Sequence, residues 1–209
     1  MTVNISPPVA ETIILDGQAT LWLWRDFLPA PMTDDLQQQL ASELAWAQPT
    51  VRVYGRDHPV PRLTAWFGDP GVRYRYSGLE HVASGWPHSL QPVLDRIMKT
   101  TGQPFNSALA NRYRNGLDTM GYHSDDEPEL GPQPWIASLS LGSQRDFVFR
   151  RRGSTRQYAS IALPHNSLLL MHPAVQQHFE HALPRRKWVS GERINLTFRQ
   201  VYGRHPQNA

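Results

Sequence analysis

The sequence predicts a mainly β protein with flanking helices, in which a mixed, partly helical N-terminal third packs against an all-β body. Three observations predict this. From Asn106 onward, short apolar-rich runs follow one another over 107–114, 135–142, 145–151, 157–163, 167–172, 176–182 and 192–202. Turn formers separate them, among them Gly116, Gly131-Pro132, Gly142-Ser143, Gly153-Ser154, Pro164, Pro173, Pro184 and Gly191. Many short strands at near-regular spacing indicate a sandwich or barrel. Helical periodicity, by contrast, is confined to two stretches ahead of that point.

Residues 1–11, with Pro7 and Pro8 and little apolar pattern, read as a disordered lead. Ile13-Ile14-Leu15 and Leu21-Trp22-Leu23-Trp24 read as two short strands around the Asp16-Gly17 turn. Thr33 is placed to cap a helix whose first turn holds Asp34 and Asp35, favourable at the positive end of the dipole. Leu36, Leu40 and Leu44 recur every four residues and give that helix a buried stripe, which Pro49 ends. Residues 50–80 mix aromatics, arginines and turn formers and read as a hairpin with irregular strands. A second helix is expected from Ser89 to Thr100 on Leu90, Val93, Leu94, Ile97 and Met98, with Pro92 in the first turn, where proline is tolerated. The expected organisation is a single domain over 12–205, made of an extension (12–105) and a β core (106–205).

A chain of 209 residues that is 40% hydrophobic can build one well-packed domain, and two would be a squeeze. Cysteine is absent, which excludes disulfides, iron–sulfur clusters and thiolate zinc sites. Any metal must be held by His, Asp or Glu. No segment approaches the ~20 apolar residues needed to span a bilayer. Met1 to Val9 lacks the basic flank and apolar run of a secretory signal, so the expectation is a soluble, cytoplasmic protein. The net charge of +3 is a mild basic bias. Its distribution is more telling: Arg145, Arg150, Arg151, Arg152 and Arg156 cluster, as do Arg185, Arg186 and Lys187. Arginine suits a bidentate grip on phosphate or carboxylate, although solvated strand ends would look the same.

Two constellations carry chemistry. Tyr122-His123-Ser124-Asp125 sets an imidazole and a carboxylate two residues apart, which on an extended strand puts both on one face. A third ligand must come from a distant segment, where His165, His172, His178, His181 and His205 are available. Two imidazoles and one carboxylate leave open coordination positions and suit non-haem Fe(II). Taken alone, His-x-Asp is short enough to be a surface turn. In Arg193-Ile194-Asn195-Leu196-Thr197-Phe198-Arg199 the alternation is strict: Arg193, Asn195, Thr197 and Arg199 share one face, Ile194, Leu196 and Phe198 the other. The polar face holds two guanidiniums and no acid, which is what a dicarboxylate needs; a half-buried strand with a wet face is the alternative. Asn111 and Tyr113 add an amide and a phenol on one face of another strand.

With these segments in order, the chain resembles the AlkB family of DNA and RNA dealkylases. The matching segments are Asn111-Arg112-Tyr113, His123-Ser124-Asp125-Asp126-Glu127, Arg145-Asp146-Phe147-Val148-Phe149-Arg150, His181-Ala182-Leu183-Pro184 and Arg193 through Arg199. The resemblance covers roughly the last three-quarters of the chain and is closer to the paralogues that repair double-stranded DNA than to the founding bacterial enzyme. It implies a double-stranded β-helix, or jelly roll, an Fe(II)- and 2-oxoglutarate-dependent dioxygenase using O2, and His123, Asp125 and His181 as metal ligands and catalytic residues. His172 and His178 are left as strand and turn residues. The same resemblance implies that 2-oxoglutarate is held by Arg193 at its far carboxylate, with Arg199 nearer the iron and Asn111, Tyr113 and Asn195 assisting.

On the substrate side it implies a flap in which Tyr74 and Tyr76 cover a flipped base, Glu127 at the base edge, Arg62 among the substrate contacts, and Tyr54 on the Val53-Tyr54-Gly55 turn as a wedge filling the gap in the duplex. The expected substrate is alkylated DNA carrying lesions of the 1-methyladenine or 3-methylcytosine type, processed by a monomer. The loop between Arg150 and Arg156 is short where the duplex-repairing relatives carry a longer basic insertion, so single-stranded DNA and RNA stay open. Two rivals remain: an oxygenase acting on RNA or protein side chains, and a non-catalytic nucleic-acid-binding jelly roll.

Overall fold

The computed structural model describes residues 9–33, 35–53, 55–76 and 79–202, with the backbone alone at 53, 74–76 and 79–81. The N-terminal part contains β1 (Glu11–Asp16), β2 (Ala19–Trp24), α1 (Ala30–Thr33), α2 (Leu36–Glu43), β3 (Thr50–Val53), β4 (Arg56–Pro59), β5 (Leu63–Gly68), β6 (Arg73–Tyr76), β7 (Leu79–Val82) and α3 (Gln91–Thr101). The body contains β8 (Ser107–Tyr113), β9 (Met120–His123), β10 (Ile136–Gly142), β11 (Arg145–Arg151), β12 (Gln157–Leu163), β13 (Ser167–Met171), α4 (Pro173–His178), β14 (Phe179–Leu183) and β15 (Arg193–Arg199). Among the described residues no helix is long and apolar enough to cross a membrane.

Two sheets make the frame: seven strands in the order β1-β2-β13-β10-β15-β8-β5 and four in the order β12-β11-β14-β9. Neighbouring strands in both sheets, among the described residues, pair antiparallel, as a jelly roll requires. The large sheet buries both faces, and alternation divides its side chains between two cores. Ile194, Leu196 and Phe198 of β15, with Leu139 of β10 and Leu168 of β13, pack toward Leu36 and Leu40 of α2 and Val93, Leu94 and Ile97 of α3. Leu169 and Met171 of β13 face the other way, toward Phe149, Ile161, Leu163 and Phe179 of the small sheet. The helices thus cover the outside of the large sheet and leave its inner polar positions to the space between the sheets.

Several elements differ from expectation for local reasons. The first strand begins at Glu11, the last residue of the expected lead. Thr33 caps nothing ahead of it: it ends α1, and its Oγ1 donates back to Leu28 O and Pro29 O at 3.3 and 3.0 Å. The leucine helix closes at Glu43, well short of Pro49, because Leu44 turns extended. The run 176–182 is split: α4 takes it to His178 and β14 starts at Phe179. A continuous apolar run cannot distinguish a buried helical turn from a strand, and Pro173 at the first helical position starts the turn. Asp34, Tyr54 and His205 lie outside the described residues.

Candidate metal centre and co-substrate pocket

In β14, His181 stands directly opposite His123 of β9 in register. The two imidazoles meet edge to face, centroids 4.3 Å apart. Asp125 was expected on the same strand as His123. Instead the strand ends at His123 and the carboxylate is carried by the loop that follows. Its loop is pinned by Ser124 Oγ donating to Phe179 O at 2.9 Å, by Asp125 N donating to Gln176 Oε1 at 3.0 Å, and by an Arg152–Asp126 ion pair. The outcome is convergence: one ligand atom from each of His123, Asp125 and His181 lies within 4.8 Å of the others. His181 Nε2 is 3.7 Å from Asp125 Oδ2, a gap that a shared cation would bridge.

Electrostatics put these groups in their ligating forms. Burial alone would raise the Asp125 carboxyl, but the Arg199 guanidinium at 2.5 Å, helped by both imidazoles, brings it down to about 2. Burial pushes His181 down to about 3, with His123 adding to the effect and Asp125 opposing it. A metal needs a neutral imidazole and an ionised carboxylate, and at neutral pH these two residues are already so. His123 Nδ1 sits 2.9 Å from Gly121 O; donation there leaves Nε2 free to ligate. Two imidazoles and one carboxylate fit the facial donor set of non-haem Fe(II).

The same cavity is lined by the inward face of β15. All seven residues of that strand are buried, so the wet-face alternative falls. Arg193 Nη2 donates to Ser140 Oγ at 2.9 Å and to Asn195 Oδ1 at 2.7 Å, and its Cζ lies 5.4 Å from the Tyr113 ring. Asn195 Nδ2 donates to Thr197 Oγ1 at 2.9 Å. Register explains the grouping: Tyr113 and Asn111 of β8 oppose Arg193 and Asn195 on one side, and Ser140 and Ser138 of β10 oppose Asn195 and Thr197 on the other. Burial lowers Arg193 to about 10, with Tyr113 opposing the shift. Its Nε is buried without a hydrogen-bond partner among the described residues. An unpaired buried guanidinium is costly, and an incoming carboxylate would offset that cost.

Other expected residues are distributed as follows. Arg62 is buried and donates from Nε to Asn111 Oδ1 at 2.8 Å, beside the co-substrate pocket. Glu127 is half-buried, with Oε2 buried and unpartnered among the described residues. Tyr74 and Tyr76 lie on β6, in a hairpin with β7. The basic cluster is largely neutralised: Arg150 pairs with Glu180, Arg151 with Asp16 and Arg186 with Asp146. His172 caps α4 by accepting from Ala174 N, and His178 ends that helix. Sequence reasoning missed the serines of β10, the buried Gln176 under the Asp125 loop, and Arg145, which is 2% exposed although it reads as part of a surface run.

Residues 20–199 match the family model of the 2OG-Fe(II) oxygenase superfamily. The chain is 42% identical over 178 residues to DNA oxidative demethylase ALKBH2 of Mus musculus, covering 80% of this chain and 74% of that protein. The Homo sapiens ALKBH2 is 43% identical over 178 residues, covering 80% and 68%. The chain belongs to the AlkB family of 2OG-Fe(II) oxygenases. The Homo sapiens alpha-ketoglutarate-dependent dioxygenase alkB homolog 3 is 36% identical over 195 residues, covering 89% and 68%. Among solved structures, that of OsALKBH1 shares the fold, with a TM-score of 0.64 at 14% identity over 91% of this chain and all of that one. This AlkB-family chain is therefore a jelly-roll dioxygenase that uses Fe(II), 2-oxoglutarate and O2.

Proposed function

We propose that this AlkB-family dioxygenase repairs DNA by removing alkyl groups from the ring nitrogens of bases, of the 1-methyladenine and 3-methylcytosine type. The observation that carries the reading is the convergence of the His123–Asp125–His181 group and the buried Arg193 face on one cavity. It is supported by sequence identity above 40% to proteins named as DNA oxidative demethylases. Residues 12–205 act as one dioxygenase domain, with 12–105 supplying the flap and 106–205 the catalytic core.

In this reading His123, Asp125 and His181 hold the iron. Arg193 takes the far carboxylate of 2-oxoglutarate, and Arg199 secures Asp125 at the metal end. Asn111, Tyr113 and Asn195 orient the co-substrate. With O2 as the oxidant, bound iron and 2-oxoglutarate would supply hydroxylation of the alkyl carbon, one oxygen atom going to that carbon and the other to succinate as 2-oxoglutarate loses CO2; the hydroxylated carbon then leaves as formaldehyde and the base is restored. Tyr74 and Tyr76 stack on the flipped base, worth ~1–3 kcal/mol per base, and Glu127 meets its edge. Tyr54 wedges the duplex and Arg62 supports the substrate side through Asn111. A non-catalytic nucleic-acid binder would be expected to have lost a ligand or a strand arginine, and His123, Asp125, His181, Arg193 and Arg199 are all present.

The test is direct. Anaerobic protein given Fe(II) and 2-oxoglutarate should develop the weak visible charge-transfer band of the chelate. Adding O2 and methylated oligonucleotides, as single-stranded DNA, duplex DNA and RNA, should restore the base and release formaldehyde. Succinate formation with no base restored on either DNA substrate would overturn DNA repair in favour of another oxygenase role.

A further inference from the structure

We propose that Arg145 is a positioning residue for the far-carboxylate end of the co-substrate pocket, acting through Tyr113. The inference rests on the 2-oxoglutarate reading above. Arg145 is buried at the first position of β11, and its guanidinium is spent on main chain: Nη1 donates to Asn115 O at 3.2 Å, and Nη2 to Asp118 O at 3.0 Å and Pro184 O at 2.7 Å. Those carbonyls belong to the two segments that flank the imidazole strands, since Asn115 and Asp118 precede β9 and Pro184 follows β14. The segments are stitched together above it. Gly116 N donates to Val189 O and Arg186 N to Gly116 O, both at 2.7 Å. A Cβ at Gly116 would fall 1.8 Å from Arg186 O, so the contact needs glycine.

The same guanidinium lies beside Tyr113, whose side chain lines the pocket. Arg145 Cζ lies 5.9 Å from the Tyr113 ring and Arg193 Cζ 5.4 Å from the same ring. Two buried cations thus lie close to one phenol ring. Neither cation forms an ion pair with a carboxylate among the described residues, and each keeps a buried, unpartnered Nε. Burial lowers both guanidiniums from their usual range; Tyr113 opposes this in both, Arg145 adds to the shift of Arg193, and for Arg145 the push from Arg186 is countered by Asp118 and Asp146. Two like charges in a closed space are tolerated when a dianion's far carboxylate balances them. Arg145 holds the Tyr113 ring against Arg193 and adds positive field at the end where that carboxylate sits.

Calorimetry on Mn(II)-loaded protein separates this role from plain support of the fold. Two chelators are titrated: 2-oxoglutarate, and pyridine-2-carboxylate, which lacks the far carboxylate. Arg145→Met should weaken 2-oxoglutarate about tenfold, the scale of one charged contact, and leave pyridine-2-carboxylate unchanged. Arg145→Lys keeps charge but loses the planar fork, and should weaken 2-oxoglutarate about threefold; it carries the test if the Met variant does not fold. Equal losses on both chelators, or none on either, would overturn the inference while leaving the pocket reading intact. Wild-type protein that binds pyridine-2-carboxylate but not 2-oxoglutarate would overturn both.

Discussion

Strands β11 and β15 both place arginines near each end, yet Arg150 and Arg151 of β11 use their charge in the opposite way to Arg193 of β15. On β11, Arg150 and Arg151 reach carboxylates of their own chain, Glu180 and Asp16, at 2.7 Å each, and rest on the Tyr122 and Tyr158 rings. On β15, Arg193 finds a hydroxyl, an amide and a phenol, while Arg199 is committed to Asp125, itself a candidate ligand. Arginine content does not separate the two strands. Burial combined with the absence of an ion-paired acid does separate Arg193 from Arg150 and Arg151: a cation left uncompensated in a closed cavity marks where a ligand's charge belongs.

The comparison can be broken from the buried end first. His181→Ala should cut Mn(II) or Fe(II) affinity by at least about 100-fold, since a ligand matters more than the outer partners worth 10–100-fold, while circular dichroism stays native. Undiminished metal binding would remove His181 from the site. Next, Arg193→Met should lower 2-oxoglutarate affinity by roughly 2–3 kcal/mol, about 30- to 150-fold, with metal binding kept. Because it also removes an uncompensated buried charge, the ligand-free melting temperature should not fall. A clear drop in that melting temperature with unchanged 2-oxoglutarate affinity would make Arg193 structural.

Smaller effects belong to the ion-paired arginines of the other strand. Arg150→Ala breaks a half-buried pair and its stacking on Tyr122. It should cost up to about 1 kcal/mol, seen as a fall of about 2–4 °C in melting temperature, with the 2-oxoglutarate affinity unmoved. Arg151→Ala, whose ion pair is about half exposed on both sides, should leave the melting temperature nearly unchanged and co-substrate binding fully so. A tenfold loss of 2-oxoglutarate affinity in either variant would erase the distinction between these ion-paired arginines and Arg193.

Much of the core was legible before any coordinates. The strand over 157–163 appears with its expected bounds, and the Arg193–Arg199 alternation, which needs only a period of two residues to be read, puts Ile194, Leu196 and Phe198 in the core. The donor chemistry was equally readable, since a chain without cysteine has only imidazole and carboxylate to offer a metal. Asp125 was legible as a partner of His123 but not for the reason given. Its place is set by Ser124, Gln176 and Arg152 holding a loop, not by strand parity. Thr33 misled because a hydroxyl can bond backward along the chain as readily as forward. Arg145 could not be told from its neighbours in the arginine run, since nothing local distinguishes a guanidinium that turns inward.

Sequence alone settled which faces are apolar, which residue types can bind a metal, and where turns interrupt the strands. Those are local matters: backbone periodicity and side-chain chemistry act over a few residues. Tertiary structure decided which arginines are neutralised and which are left for a ligand, and it set the distances among His123, Asp125 and His181. A charge is compensated by whatever the fold brings within a few ångströms, and here those neighbours come from strands that lie far apart in the chain.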